Sequence, residues 1–245
     1  MRFTLLLALP LALLSACGGG GGSGNVTAPA NSIPAVPAPA GKEWREVVVR
    51  TDAGMRMGNP DARLKLVEYG SRGCPVCGAL ANAGMETLIT QYVNTGRVSY
   101  EYREFWVHGP SDVAASLIGT CVDDAAFFPI LEAMYQAQPE LNGRIQTLSP
   151  AQLQQLGALP QTQAPTAWAE AAGYLEFIKQ HGVPEAKARQ CLGDQTKLKA
   201  LAELNAKAAN DRGVSGTPTF FLNDSQLEGV STWPALQAAL RNAGA

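Results

Sequence analysis

The chain of 245 residues is 46% apolar and carries a formal net charge of −2, long and apolar enough for one large domain or two small ones with a hydrophobic core. It has no excess of basic residues with which to attract phosphate, so nucleic acid is not an expected partner. In chain order, the first feature is the charged start Met1-Arg2-Phe3-Thr4 followed by the apolar run Leu5 to Leu14, the pattern of a secretory signal. The run is too short for the roughly 20 residues that a helix needs to cross a bilayer.

Directly after it, Leu14-Ser15-Ala16-Cys17 resembles the lipobox of bacterial lipoproteins. The resemblance implies that residues 1–16 are removed as a signal and that the Cys17 sulfur receives a diacylglycerol. An ordinary cleavage site wants a small residue where Leu14 stands. Residues 17–41 read as a tether, flexible over Gly18 to Gly24 and extended where Pro29, Pro34, Pro37 and Pro39 recur. One folded domain is expected over 42–245.

Within that domain, Glu46 to Arg50 and the near-continuous apolar run Leu64 to Tyr69 read as strands, the second as a central one. Gly58-Asn59-Pro60-Asp61 reads as a turn between them. From Gly78 to Val93 the residues Leu80, Met85, Leu88, Ile89 and Tyr92 fall at helical spacing, so the Cys74-Pro75-Val76-Cys77 motif opens a helix. Arg97 to Phe105 alternates as a strand, and Ser111 is the expected cap of a helix carrying Val113, Leu117, Ile118 and Cys121. Helical patterns continue to about Asn210, interrupted by a short helix and an irregular loop over 149–166. Pro218 to Leu222 and Gln226 to Val230 form an expected hairpin about Asn223-Asp224, followed by a helix from Thr232 to Asn242.

The chemistry lies in the cysteines. Setting Cys17 aside leaves Cys74, Cys77, Cys121 and Cys191, an even set that allows three pairings in an exported protein. Cys74 stands where a strand gives way to a helix, and the N–H groups and dipole of a helix start stabilise a thiolate there. Its pKa should fall below the free value of about 8.5, making it the exchanging sulfur, with Cys77 resolving the mixed disulfide. Pro75 suits the first helical turn, where its missing N–H has no partner to lose. A zinc site would need two more ligands; Cys121 and Cys191 form no close pair and His108 and His181 have no ligand spacing, so no metal or other cofactor is expected.

Strand, CxxC at a helix start, strand, helical block, hairpin and final helix together resemble the DsbA-like branch of the thioredoxin superfamily. The resemblance covers about residues 44–244. It rests on the Gly58-Asn59-Pro60-Asp61-Ala62 turn, Glu68-Tyr69-Gly70-Ser71, the CxxC, and Gly216-Thr217-Pro218-Thr219-Phe220-Phe221. It implies an α/β thioredoxin-like fold with a helical domain inserted over 111–212, and dithiol/disulfide exchange on unfolded or partly folded exported proteins. A membrane redox partner would recycle the site.

Residue by residue, Thr217-Pro218 matches the cis-proline loop that faces the CxxC, where the Thr217 backbone would pair with a substrate strand. Glu68 matches the buried acid beneath the resolving cysteine, there to relay the Cys77 proton. Cys121 and Cys191 match a second disulfide found in the helical insert of some relatives. In strongly oxidising DsbA proteins the second residue between the cysteines is histidine; Val76 in its place implies a less extreme oxidant. Disulfide donation is the expected direction, with reduction or isomerisation, or binding without catalysis, as alternatives. DsbC- and DsbG-type isomerases dimerise through a separate N-terminal domain, for which 42–61 is too short, so a monomer is expected.

Overall fold

The structure, a computed structural model, describes residues 32–245. The expected signal, the lipidation site at Cys17 and most of the expected tether lie outside the described residues. The last part of that tether lies along the domain. Ile33 is buried and its N–H donates to Gly244 O at 2.8 Å, while Val36 N–H donates to Thr95 O and Val36 O accepts from Trp44 Nε1, both at 2.8 Å.

The strands are β1 (Val48–Arg50), β2 (Met55–Gly58), β3 (Leu64–Gly70), β4 (Val98–Glu104), β5 (Thr219–Leu222) and β6 (Ser225–Gln226), in the sheet order β1-β2-β4-β3-β5-β6. Among the described residues only the central pair β3 and β4 is parallel, Leu64 facing Val98 and Gly70 facing Glu104. The sequence pattern missed β2. Its four residues, Met55-Arg56-Met57-Gly58, are too few to show alternation, and pairing with both β1 and β4 makes the strand. The hairpin β5–β6 is shorter than expected, turning on Asn223 and Asp224, both at positive φ, as a two-residue primed turn requires.

The helices, among the described residues, are α1 (Pro75–Leu88), α2 (Pro110–Gly119), α3 (Phe127–Gln146), α4 (Pro150–Gly157), α5 (Ala164–Ala172), α6 (Tyr174–Gln180), α7 (Glu185–Leu192), α8 (Gln195–Arg212) and α9 (Trp233–Asn242). After Leu88 the first helix widens into a single π turn, Ile89–Val93. Gly109, not Ser111, caps α2: its φ of 66° suits a residue without a Cβ, and the Ser111 hydroxyl instead donates backward to His108 O. The helices from Pro110 to Arg212 all lie between β4 and β5 in sequence.

Strand alternation decides what β3 contributes to each face. Leu64 and Leu66 enter the main core with Leu80, Met85 and Leu88 of α1, Phe128 and Leu131 of α3, and Leu236 and Leu240 of α9. Tyr69 points the other way, into a smaller cluster with Phe105, Ala208 of α8 and Phe221. Glu68 shares the face of Leu66, so a carboxyl enters the main core directly under α1. The helical insert has a core of its own, built on Leu117, Ile118, Met134, Trp168 and Ile178.

Candidate active site

The site forms where β3 ends. The chain turns through Ser71-Arg72-Gly73, with Cys74 N–H donating to Ser71 O at 3.1 Å and Gly73 N–H to Ser71 Oγ at 3.1 Å. Cys74 occupies the N-cap of α1 in extended backbone geometry, and Pro75 takes the first helical position. Cys77 follows on the first turn and is fully buried; both cysteines are free thiols.

The two sulfurs stand in unlike surroundings. A hydrogen bond from the Cys77 thiol, helped by Thr217 and by the N–H groups of Val76 and Cys77, holds the Cys74 thiol down to about 5 against its partial burial. Burial pushes the Cys77 thiol far up, and the neighbouring Cys74 adds to the effect. At neutral pH Cys74 is a thiolate and Cys77 a thiol. As a thiol, Cys74 Sγ donates to Thr217 O at 3.4 Å, and the Thr217–Pro218 bond beside it is cis. The chain therefore brings residues 143 positions apart to one sulfur.

Glu68 is buried beneath α1, and burial raises its carboxyl to about 7 despite a hydrogen bond from Tyr100 Oη at 2.6 Å. Its charge is felt at Cys77, so a carboxyl that titrates near neutrality neighbours that buried thiol. Tyr100 lies on β4, beside the strand that carries Glu68, and the alternation over 97–105 gave no sign of its bond to Glu68.

Three further features escaped the sequence reading. The Arg72 guanidinium is buried between the sheet and the insert, its Nε donating to Glu104 Oε1 at 2.7 Å while Ser116 Oγ donates to Glu104 Oε2 at 2.8 Å. It stacks over the Phe127 ring at 4.9 Å. Gln138 and Asn142 of α3 donate to the carbonyls of the redox turn. The Asp112 carboxylate accepts from Val107 N–H and His108 N–H at 2.8 Å and meets His108 Nδ1 at 3.3 Å. His108, Pro75, Gly73 and Asn142 help line a cleft of about 220 Å³ beside the cysteines. Gln138 had a readable signal: it falls with Leu131, Met134 and Leu141 on the apolar face of α3, where a polar residue needs a buried partner.

Cys121 and Cys191 form a disulfide in the insert, joining the end of α2 to α7 with the Cα atoms 5.8 Å apart. Among the described residues no group of three or more His, Cys, Asp and Glu side chains is gathered to hold a metal ion, and no helix is long and apolar enough to cross a membrane.

A family model described as thioredoxin matches residues 50–242. A crystal structure named as a protein-disulfide isomerase from Novosphingobium aromaticivorans is 29% identical, with a TM-score of 0.74, over 77% of this chain and 95% of that one. The α-DsbA1 structure of Wolbachia pipientis has the same fold, at a TM-score of 0.61 and 17% identity, covering 81% of this chain and 94% of its own. A protein of Rickettsia prowazekii named as a protein-disulfide oxidoreductase is 26% identical over 186 residues, 74% of this chain. This chain spans 58% of that relative's length.

Proposed function

The chain belongs to this thioredoxin family, and from that membership we propose that it is a DsbA-like thiol-disulfide oxidoreductase that donates disulfides to exported proteins through Cys74 and Cys77. The observation that carries the reading is the opposition of the two sulfurs within one helical turn, Cys74 held down to about 5 and Cys77 pushed up by burial. A stabilised thiolate stabilises the reduced protein, which makes its disulfide readily given away. The value lies between the roughly 7 of thioredoxin and the roughly 3.5 of DsbA, in keeping with Val76 where the strong oxidants carry histidine.

Exchange would run in two balanced steps. A substrate thiolate attacks Cys74 Sγ of the Cys74–Cys77 disulfide, forming a mixed disulfide as the S–S bond breaks, and Cys77 leaves and takes a proton, with Glu68 as its nearby source. A second substrate thiolate then attacks the substrate sulfur of the mixed disulfide. The substrate disulfide forms, and Cys74 departs as the thiolate that its surroundings favour. Two electrons pass from substrate to protein, and a membrane redox partner would take them on. Thr217 and Pro218 stand where an extended substrate segment would pair with backbone, and the exposed Val76 offers it apolar contact.

Its place is outside the cytoplasm, anchored through Cys17, with Gly18 rather than aspartate after that cysteine favouring the periplasmic side of an outer membrane. The Cys121–Cys191 bond supports this, because disulfides persist in oxidising compartments. Reduction or isomerisation is the second reading, favoured by the likeness to the Novosphingobium structure. The deciding measurement is the equilibrium of the purified protein with reduced and oxidised glutathione. A potential well above the thioredoxin figure of about −270 mV and short of the DsbA figure of about −120 mV is expected. A thioredoxin-like value would turn the assignment to a reductase or isomerase, and no reversible couple would leave only binding.

A further inference from the structure

Helix α3 reaches the turn that carries Cys74. Gln138 Nε2 donates to both Arg72 O and Cys74 O at 2.9 Å, and Asn142 Nδ2, one turn further, donates to Gly73 O at 2.9 Å. Three consecutive carbonyls leading into α1 are thus held by two side chains of the helical insert. Gln138 is buried, and the site is shaped around it: a Cβ on Gly78, the residue after Cys77, would collide with Gln138 Oε1. The next residue in α3 is Pro139, which has no N–H to return to Tyr135 O. Asn82 Nδ2 of α1 approaches that carbonyl at 3.5 Å, so α1 and α3 are tied by amide side chains in both directions.

We infer that Gln138 is a positioning residue through which the helical insert sets the redox poise of Cys74, with Asn142 supporting it; this rests on the exchange reading above. A carbonyl next to a thiolate presents its negative end to a negative charge. An amide that donates to such a carbonyl neutralises part of its dipole and brings its own positive end toward the turn, adding to the Gly78 N–H that already holds Cys74 O at 3.1 Å. The bond to Cys74 O also fixes the peptide from which α1 starts, and so the aim of the Val76 and Cys77 N–H groups at the sulfur. Without Gln138, Arg72 O loses its donor and Cys74 O keeps only the Gly78 N–H at 3.1 Å, so the turn relaxes to satisfy the stranded carbonyl. The thiolate, present only in the reduced protein, loses more than the disulfide form does, so the couple becomes less oxidising.

The test compares the wild-type protein with Gln138→Met, which keeps length and packing but cannot donate, and Asn142→Leu, which removes the single outer bond. Thiolate ultraviolet absorbance against pH gives the Cys74 pKa, and redox equilibrium with glutathione gives the poise. Gln138→Met is expected to raise the Cys74 pKa by about one unit and to shift the glutathione equilibrium about tenfold toward the protein disulfide, equal to about 30 mV for a two-electron couple. Asn142→Leu should move both readouts the same way by less, and it keeps the question open to experiment if Gln138→Met fails to fold. Thermal stability lowered with pKa and equilibrium unchanged would make Gln138 merely structural and overturn the inference. A wild-type protein with no reversible couple would instead sink the exchange reading, so the two failures are distinguishable.

Discussion

Cys74 and Glu68 shift in opposite directions, and pH separates them. The Cys74 thiol of the reduced protein is held at about 5 against an ordinary 9.0. The stability it contributes is therefore full above about 9 and is lost as pH falls toward 5. The disulfide form has no such thiolate, so the reduced protein should gain on the oxidised one as pH rises across that window, as paired denaturant melts at several pH values would show. Glu68 runs the other way. Its folded carboxyl titrates near 7 rather than 4.5, so its contribution is full below 4.5 and is lost as pH rises to about 7. Relative to Glu68→Gln, the wild type should lose on the order of 3 kcal/mol across that range, and the variant should exchange more slowly if the carboxyl relays the Cys77 proton. Cys77→Ser should leave Cys74 reactive and accumulate mixed disulfides with thiol substrates on non-reducing gels, whereas Cys74→Ser should abolish exchange. Both cysteines could be read from the sequence because spacing alone places them at a helix start. The face taken by Glu68 could not: alternation puts it with Leu66, but Val67 and Tyr69 make the other face of β3 apolar too, and only the packing of α1, α3 and α9 on the Leu66 side decides where the carboxyl is buried.

The elements meet at two joints, one ionic and one covalent. Where β4, α2 and the turn before α1 converge, Arg72 and Glu104 form an ion pair at 2.7 Å with both side chains almost wholly buried. Removing one partner of such a pair strands the other charge. Arg72→Ala should thus cost about 3–5 kcal/mol in urea unfolding, and the paired change Arg72→Met with Glu104→Gln should recover much of it. The Cys121–Cys191 bond closes a separation of 70 residues, for which the chain-entropy account gives about 4 kcal/mol. Replacing both by alanine should lower the urea midpoint by a corresponding amount while leaving the glutathione equilibrium of Cys74 and Cys77 in place, because the bond lies in the insert's own core. Helical periodicity made α1, the insert and α9 legible, and turn chemistry made the last hairpin so. Strand β2 and the ion pair were not legible, because a four-residue strand and a lone Arg72 acquire meaning only from neighbours distant in sequence.

On the scale of the whole molecule, the residues before β1 belong to the fold. Ile33 is buried against the C-terminal end, and Val36 O satisfies the Trp44 indole. A chain beginning at 42 should be less stable than one beginning at 32 by about 2–4 kcal/mol, from one lost aliphatic side chain and an unpaired indole N–H, and thermal melts of the two would measure it. Composition pointed to a tether through 41 because proline-rich segments are usually solvated, and nothing local marked Ile33 as a contact. The register of β5 on β3 has a different consequence. Leu222 pairs with Leu66 only after more than half the chain has been made, and Thr217 reaches Cys74 by the same step. A ribosome delivers Cys74 and Cys77 early and the strand that completes their pocket almost last. Until that strand docks, Cys74 lacks the Thr217 contact, and the pocket around the reactive sulfur is completed only with the finished protein.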